Sequence, residues 1–213
     1  MTPRRQVSVS RNPEIVKASI LDAAQAEFMA EGYDGASTNR IVERFGRSKP
    51  TVFRHFPTKR ALFEGVVARI AERWAEQVDW RGIPTDVPED WLRSFATRAL
   101  QWVMSDDTIF VSRMAVASGH EFPEVVDTFR SLAVEPIQRV IADRLRAWTK
   151  AGLLQCNDPR RDAEGFLDVT ISGLVSRRLY GVPDLSESDL RRHMEHRVTI
   201  FLKGMEARPA RRK

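Results

Sequence analysis

The side chains best suited to binding chemistry lie between positions 37 and 59. Lys49, Thr51, Arg54 and His55 remain on the exposed side of a short segment whose other side is apolar. Ammonium, guanidinium and hydroxyl groups donate hydrogen bonds to phosphate oxygens and to acceptor atoms on base edges. A compact group of such donors predicts a polyanionic partner.

Two short helices joined by a tight turn must position these donors. Ser37 or Thr38 can cap the first helix, because a hydroxyl accepts hydrogen bonds from the free N–H groups of a first turn. Gly46 can end that helix in a left-handed conformation, and Ser48 can cap the second helix, with Pro50 in its first turn. The pattern predicts a helix-turn-helix whose second helix enters the major groove of DNA. Its apolar side comprises Ile41, Val42, Phe45, Val52, Phe53 and Phe56.

The distribution of charge separates this stretch from the rest of the chain. The 213 residues carry a net charge of +5, and residues 1–60 hold 11 Lys and Arg against 6 Asp and Glu. The later residues hold 23 of each sign, so the whole excess lies with the helix-turn-helix and its flanks. This asymmetry indicates a polyanion partner for the first part of the chain only.

Helical periodicity continues to the end of the chain, and no segment shows the period of two that a strand requires. Asn12-Pro13-Glu14 and Thr58 predict helix starts, and Pro136 predicts a kink inside a long helix. We therefore expect an all-α protein of about nine helices. An N-terminal three-helix helix-turn-helix DNA-binding domain would precede a larger helical ligand-binding and dimerisation domain. The expected divisions are a flexible basic arm at 1–12, the helix-turn-helix domain at 13–59, the helical regulatory and dimerisation domain at 60–207 and a basic tail at 208–213.

Composition argues against several other classes of protein. The single cysteine, Cys156, permits no internal disulfide, which fits a reducing cytosol. No apolar run approaches the roughly 20 residues that span a bilayer, and the N-terminus lacks the apolar core of a secretory signal. We expect a cytoplasmic protein with no membrane partner.

Metal binding and catalysis are weakly indicated. His193 and His196 are one helical turn apart with Glu195 between them, which permits a metal site. Arginines surround the pair and no further ligand is evident, so we expect no metal. No nucleophile with an adjacent base and no phosphate-binding glycine loop stands out. We therefore expect no catalytic residues, no cofactor and no enzymatic function.

Aromatic and methionine side chains recur at helical spacing in the second half of the chain. Two interpretations stay open, a closed core or the wall of an apolar pocket that binds a small ligand between helices. The side chains concerned are Trp91, Phe95, Trp102, Phe110, Met114, Phe129 and Trp148.

The last two predicted helices each carry a stripe suited to a dimer interface. Glycines at 165 and 173 would let two helices approach closely. The alternative is that both helices pack entirely within one monomer. The stripes comprise Phe166, Val169, Gly173 and Arg177 on one helix and Met194, Val198, Phe201 and Met205 on the other.

The stretch at 20–62 resembles the tetracycline-repressor (TetR) family of bacterial transcription regulators. The later segments Phe122-Pro123-Glu124, Gly152-Leu153-Leu154 and Asp158-Pro159, with Gly173, are similar to the regulatory domain of its AefR-like branch. The family implies a homodimer whose two heads contact a palindromic operator on double-stranded DNA. It also implies a helical body that binds a small apolar effector and moves the heads apart. The first resemblance is carried by Ile20, Ala24, Phe28, Gly32, Tyr33, Thr38, Ile41 and Gly46, the motif at 48–56, Lys59 and Leu62.

Three positions depart from the family pattern. Phe45 stands where the family usually has Ala, and Arg47 where it usually has Val. Phe53 replaces a Tyr whose hydroxyl meets a phosphate, and it cannot make that hydrogen bond. Arg47 then either replaces the lost phosphate contact or reads a base.

The resemblance implies roles for the residues that match its motif. Thr38, Thr51 and Lys59 are expected to contact phosphates, and His55 to pack against the backbone at the groove edge. Lys can donate to guanine, Asn can pair with adenine, and a Pro ring can touch a thymine methyl. The base-reading candidates are Asn39, Lys49, Pro50 and Arg54, and Arg47 and Ser48 complete the expected DNA-binding set.

The resemblance therefore implies a sequence-specific DNA-binding transcriptional regulator, a repressor released from its operator by an apolar small molecule. Pro136 and the helix that starts at Thr58 are expected to transmit the ligand signal. Two alternatives stay open. One is a ligand-independent regulator or activator, and the other is a small-molecule carrier or enzyme with a vestigial head. The intact cationic set at 47–59 argues against the second alternative.

Overall fold

Helices form almost all of the regular structure in the computed structural model, which describes residues 12–77 and 82–205. If a helix interrupted by a π-helical segment counts once, these residues hold nine helices and no strand, which confirms the all-α prediction. The tail at 208–213 and all of the arm except Asn12 lie outside the described residues. The elements are α1 (Pro13–Gly35), α2 (Thr38–Phe45), α3 (Lys49–His55), α4 (Lys59–Gln77), α5 (Pro88–Val103), α6 (Asp106–Ser118), α7 (Pro123–Phe129), a π-helical segment (Arg130–Val134), α8 (Glu135–Lys150), α9 (Pro159–Leu167), a second π-helical segment (Asp168–Ser172), α10 (Gly173–Leu179) and α11 (Glu187–Met205).

Side-chain caps fix where the helices begin. Asn12 Oδ1 accepts a hydrogen bond from the Glu14 N–H at 3.0 Å, and Thr58 Oγ1 accepts one from the Ala61 N–H at 3.0 Å. Each oxygen satisfies a first-turn donor that has no partner within its own helix. Both predicted helix starts are confirmed. None of the described helices is long and apolar enough to cross a membrane.

The long helix predicted around Pro136 is interrupted next to that residue. The π-helical segment at 130–134 joins α7 to α8, and Pro136 lies in the first turn of α8. A proline has no N–H to donate, so the regular α-helical ladder cannot pass through this position. The second π-helical segment, at 168–172, contains no proline and was not predicted. Its Thr170 carbonyl accepts a hydrogen bond from the His193 ring of α11 at 3.1 Å.

Two clusters of buried apolar side chains hold the helices together. The first joins α1–α4 and extends into α6 and α7 through Val111, Met114 and Val125. The second lies mainly among α5 and α8–α11, and Phe129 packs against both clusters. Because α4 shares a core with the three helices before it, α1–α3 cannot shift without disturbing α4. The domain boundary between 59 and 60 remains a prediction.

The seven aromatic and methionine residues do not form one wall. Trp91, Phe95, Trp102 and Trp148 belong to the second cluster. The Trp91 ring stacks on Phe95 with 4.9 Å between centroids and meets Trp148 edge-on at 5.5 Å. For these four residues the core interpretation is the one that the structure shows. In the first cluster, or between the two clusters, lie Phe110, Met114 and Phe129.

Candidate nucleic-acid interface

The turn between α2 and α3 depends on Gly46. This residue has φ of 72°, and its N–H donates to the carbonyls of Val42 at 3.0 Å and Glu43 at 3.1 Å. A side chain would be strained in this left-handed conformation, whereas glycine adopts it freely. Pro50 lies in the first turn of α3, where its missing N–H costs nothing. The predicted helix-turn-helix is therefore present, with its turn at the predicted glycine.

The predicted N-cap residues stand at the start of these two helices, but their hydroxyls do not make the predicted capping hydrogen bonds. Ser37 and Ser48 occupy the capping positions, but neither hydroxyl accepts a hydrogen bond from its own first turn. The Ser48 hydroxyl instead bonds to the Thr51 hydroxyl at 2.8 Å. The Ser37 N–H donates to the carboxylate of Glu27 at 3.1 Å. Glu27 of α1 thus binds the backbone at the residue that precedes α2.

Glu27 is a buried anion that joins α1 to α2. Its side chain is fully buried and accepts hydrogen bonds from Arg40 Nε at 2.6 Å and Arg44 Nε at 3.1 Å. Burial raises the pKa of the carboxyl group. The hydrogen bonds from Ser37, Arg40 and Arg44 outweigh that effect, so the pKa of Glu27 lies below its ordinary value. The charged form of Glu27 therefore holds α2, and through the turn α3, against α1.

The sequence interpretation missed Glu27, although a signal was available. Glu27 is a lone acid on the apolar side of α1, beside Ala23, Ala24 and Phe28, all of them buried. A charge in such a position is expected to be paired. The arginines at 40 and 44, one turn apart in the next helix, were the available partners.

The base-reading candidates lie on the exposed side of α2 and α3. Asn39, Lys49, Pro50 and Arg54 are all exposed, whereas Val52 on the opposite side of α3 is fully buried. The Lys49 ammonium donates to Asn39 Oδ1 at 3.0 Å, which joins the two helices at this surface. The other members of the expected DNA-binding set that are exposed or partly exposed are Thr38, Arg47, Ser48, Thr51, His55 and Lys59.

Two of the three departures from the family pattern are aromatic rings, Phe45 and Phe53, and each ring lies beneath a basic side chain. The Arg47 guanidinium lies over the Phe45 ring at 5.5 Å, and the Lys49 ammonium lies over the Phe53 ring at 5.5 Å. A cation over an aromatic face is attracted by the ring quadrupole. Arg47 is only partly buried and stays at the surface, so it is accommodated without displacing α3.

The Lys59 ammonium contacts backbone carbonyls and two aromatic rings. Its ammonium donates to the carbonyls of Asp34 at 3.0 Å and Ala36 at 3.4 Å, and lies 4.9 Å from the Tyr33 ring centroid. The Phe122 ring, just before α7, is 5.8 Å away. In this conformation Lys59 binds the backbone after Gly32 and the start of α7. The expected phosphate contact of Lys59 remains a prediction.

Tyr33 extends the same link into α7. Its hydroxyl donates to Glu124 at 3.2 Å. Burial, and then the neighbouring Glu124 carboxylate, raise the pKa of Tyr33 to about 12, so the phenol stays protonated and remains a donor at neutral pH. Lys59, Tyr33, Phe122 and Glu124 together join α1, α4 and α7.

The residues expected at a dimer interface separate into two groups. Phe166 and Val198 are fully buried, Met194 and Met205 nearly so, and the Phe166 and Phe201 rings meet at 5.0 Å. These side chains pack within the monomer. The predicted interface therefore includes the inward side of α9 and α11, which a second copy cannot reach. A surface is instead offered by the partly exposed Val169 and the exposed Gly173, with the exposed Tyr180 and Ile200, which the sequence does not predict. Arg177 is exposed as well, but it lies at the rim of a cavity between α5, α10 and α11.

Comparison with known proteins gives a consistent result over almost the whole chain. Residues 20–66 match the family described as bacterial regulatory proteins, tetR family. Residues 90–204 match the AefR-like transcriptional repressor, C-terminal domain. The HTH-type transcriptional repressor Rv1474c of Mycobacterium tuberculosis is 28% identical over 186 residues, which cover 83% of this chain and 93% of that protein. The repressor AcnR of Corynebacterium diphtheriae is 27% identical over 174 residues, covering 78% and 82%.

Solved structures show the same fold. The flavonoid-responsive regulator FrrA matches with a TM-score of 0.80 at 24% identity, covering 92% of this chain and 100% of that one. A TetR family transcriptional regulator from Pseudomonas syringae matches with a TM-score of 0.71 at 23% identity, covering 90% and 97%.

Replacement of the buried anion tests its role in the interface. Glu27→Gln keeps the side-chain shape but replaces the charged acceptor of Arg40 and Arg44 with a neutral amide. We expect the free energy of unfolding at pH 7, measured in urea, to fall by about 1.5–3 kcal/mol, the contribution of hydrogen bonds to a charged group. Glu31→Gln is the matched control, because this exposed carboxylate lies 3.7 Å from Arg40. It should cost less than about 1 kcal/mol.

The pH dependence of that difference follows from the lowered pKa of Glu27. A carboxyl group with a lowered folded-state pKa stabilises the protein above its ordinary pKa of 4.5 and loses that effect as the pH falls through the folded value. The gap between wild type and Glu27→Gln should therefore shrink below pH 4.5. A gap of equal size at pH 7 and pH 3, or no gap at all, would contradict the assignment.

Proposed function

We propose that this chain, which belongs to the TetR family of bacterial regulatory proteins, is a cytoplasmic repressor that binds a palindromic operator as a homodimer and leaves it when a small molecule binds. As a member of this family with an AefR-like C-terminal domain, it is a DNA-binding transcriptional regulator. Repression is supported by relatives that are named repressors. The proposal assigns the chain no enzymatic function.

The outward side of α3 is the observation that carries the proposal. Lys49, Pro50 and Arg54 are exposed there, and the buried Val52 holds the opposite side against the first core. A helix held in this way can enter a major groove and bring its first turns to the base edges. Basic residues within the first 60 positions supply the attraction to phosphates.

The pairing of Lys49 with Asn39 favours guanine in each half-site. Asn39 Oδ1 already accepts from Lys49, so one of its two lone pairs is occupied, and the Lys49 ammonium and the Asn39 N–H groups make hydrogen-bond donors predominate at this surface. Bidentate recognition of adenine by Asn needs that oxygen as an acceptor, whereas O6 and N7 of guanine are both acceptors. We therefore expect guanine, rather than adenine, beneath the Asn39–Lys49 pair.

The exposed surface of α9–α11 is proposed as the dimer interface. A Cβ built at Gly173 would meet no atom within 4 Å, and Tyr180 and Ile200 expose 81% and 43% of their surfaces. Large exposed apolar side chains beside open glycines suit the close approach of a second helix pair. A two-fold dimer would place two copies of α3 on one palindrome.

The observations bear in two directions on the proposal that a small molecule releases the protein from its operator. The close packing of Trp91, Phe95 and Trp148 favours a regulator without a ligand, since these rings fill the space that a central pocket would need. Two findings favour an effector. A cavity of about 500 Å³ lies between α5, α10 and α11, and FrrA, which shares this fold, is named as responsive to flavonoids.

Removal of the α3 cations tests operator recognition. A duplex selected from random DNA serves as the operator, and gel shifts report affinity. Lys49→Ala and Arg54→Ala should each weaken binding by about 5- to 100-fold, and Lys49→Ala should relax the preference for guanine at one position. Arg146→Ala, at an exposed site on α8, is the control and should bind as wild type. Equal affinity of all four proteins, or failure of the wild type to select any sequence, would reject the major-groove assignment.

A bulky charge at Gly173 tests the dimer interface. Gly173→Arg has room in the monomer, so its thermal stability should stay close to that of wild type, but the side chain would obstruct a second copy. Light scattering should give twice the 24.4 kDa of the chain for wild type and a single chain mass for the variant. Val116→Arg, at an exposed site on α6, should remain dimeric. A dimeric Gly173→Arg protein would exclude this interface.

A further inference from the structure

We propose that the effector site is the cavity between α5, α10 and α11, and that its ligand is an aliphatic carboxylate. The effect of this ligand on operator binding rests on the proposed repressor function, whereas ligand binding to the cavity can be measured without DNA. The four pocket candidates that pack in the second cluster, Trp91, Phe95, Trp102 and Trp148, lie outside its lining.

The cavity has the size and the floor of a site for an apolar chain. Its volume of about 500 Å³ falls within the range of small-molecule pockets. Among the described residues no aromatic ring lines it, so an aromatic ligand would gain no stacking from them. Methionine side chains adapt their shape to flexible ligands. The floor consists of Leu100, Met104, Leu174, Leu185, Leu190 and Met194.

Arg177 supplies the anchor for a carboxylate at the rim. Two other rim arginines are neutralised, Arg93 by Glu89 at 2.6 Å and Arg191 by Glu187 at 3.6 Å. Arg177 donates to the Pro183 carbonyl at 3.0 Å, and within the described residues it makes no ion pair. A guanidinium that keeps its charge binds a carboxylate by charge-assisted hydrogen bonds.

The charge at the cavity mouth has a competing contribution. Glu195 and Asp184 also lie on the rim, and carboxylates there would favour a cationic ligand, although Asp184 lies 3.8 Å from Arg178. The first turns of α11 border the cavity as well, but Glu187, Asp189 and the Ser186 hydroxyl already occupy the positive end of this helix. The preference therefore rests on Arg177, whose guanidinium can bind a carboxylate through charge-assisted hydrogen bonds, and we infer that an acid is preferred to an amine.

The cavity lies next to a clasp between α10 and α6. Met104, on the cavity floor, accepts a hydrogen bond on its carbonyl from Arg178, the residue after Arg177. Arg178 Nη2 also donates to Asp106 at 2.7 Å, at the start of α6. A ligand that displaces Met104 or repositions Arg177 therefore acts on the residues that hold the start of α6.

The start of α6 is in turn fastened to the DNA-binding helices. Asp107 accepts hydrogen bonds from Gln25 of α1 at 2.7 Å and from Arg73 of α4 at 2.7 Å. Gln25 also accepts from Arg69 of α4 at 2.8 Å. A shift at Asp106 and Asp107 would thus move α1 and α4 together. Ligand binding favours such a shift only if the ligand binds the two arrangements with different affinity.

Calorimetry with four probes tests the site and its chemistry. Decanoate should bind the protein without DNA and raise its melting temperature. Decan-1-ol and decylamine keep the chain but lack the carboxylate, and 1-naphthoate keeps the carboxylate but replaces the chain with rings. Each should bind at least about tenfold more weakly than decanoate, because a charged hydrogen bond or the fit to the floor is lost. Tighter binding of decylamine or naphthoate than of decanoate would overturn the ligand class.

Variants at the cavity test whether decanoate binds there. Arg177→Gln should weaken decanoate binding at least about tenfold, and Thr97→Trp should block the exposed mouth of the cavity. Arg160→Gln, at an exposed site on α9, should bind decanoate as wild type. Wild-type affinity in both cavity variants, or no binding of decanoate to the wild type, would exclude this cavity.

Asp107→Ala separates the site from the repressor function. This variant should bind decanoate as wild type but lose decanoate-induced release of the selected operator. If decanoate binds the wild type through Arg177 yet leaves operator affinity unchanged, the site stands and the release mechanism is rejected. If another small molecule releases the operator while decanoate does not bind, the repressor function stands and the cavity assignment is rejected.

Discussion

The carboxylate of Glu27 is the interaction on which the DNA-binding surface depends. It is fully buried in α1 and accepts hydrogen bonds from Ser37, Arg40 and Arg44, which precede or lie within α2. A buried charge is tolerated only when its hydrogen-bonding capacity is filled, so the two helices must adopt one relative position. That position fixes the turn at Gly46, and the turn presents α3. The proposed base contacts of Lys49 and Arg54 therefore depend on a buried anion that lies on another helix.

Polar contacts also fix the position of α1 and α4 relative to α6 and α7. Lys59 and Tyr33 tie α1 and α4 to the start of α7, and Asp107 ties them to the start of α6. Hydrogen bonds and ion pairs are directional, so these links hold one geometry more strictly than apolar packing alone. In the proposed mechanism, a change at α6 or α7 reaches α3 through these few polar contacts. A ligand that shifts those ends can change how two copies of α3 fit one operator.

The sequence could predict features that are encoded locally. Gly46, Pro50 and the spacing of apolar residues predicted the helix-turn-helix, and Pro136 predicted the interruption of a long helix. Features that depend on distant partners were not predicted. Lys59 has the positive charge that a phosphate contact requires, but the sequence does not show that its ammonium lies over the rings of Tyr33 and Phe122. Periodicity identified an apolar side on α11, yet Met194 and Val198 face the monomer core, because periodicity alone does not tell which neighbour covers that side.

Hydroxyl-radical footprinting of the selected operator tests the central claim most directly, that two copies of one rigidly held α3 read consecutive major grooves. The account predicts two protected segments on the same face of the duplex, related by a dyad, with centres about 10 base pairs or a multiple of this apart. The guanines beneath the Asn39–Lys49 pairs should lie within those segments. A single unsymmetrical footprint, or uniform protection without regard to sequence, would contradict it.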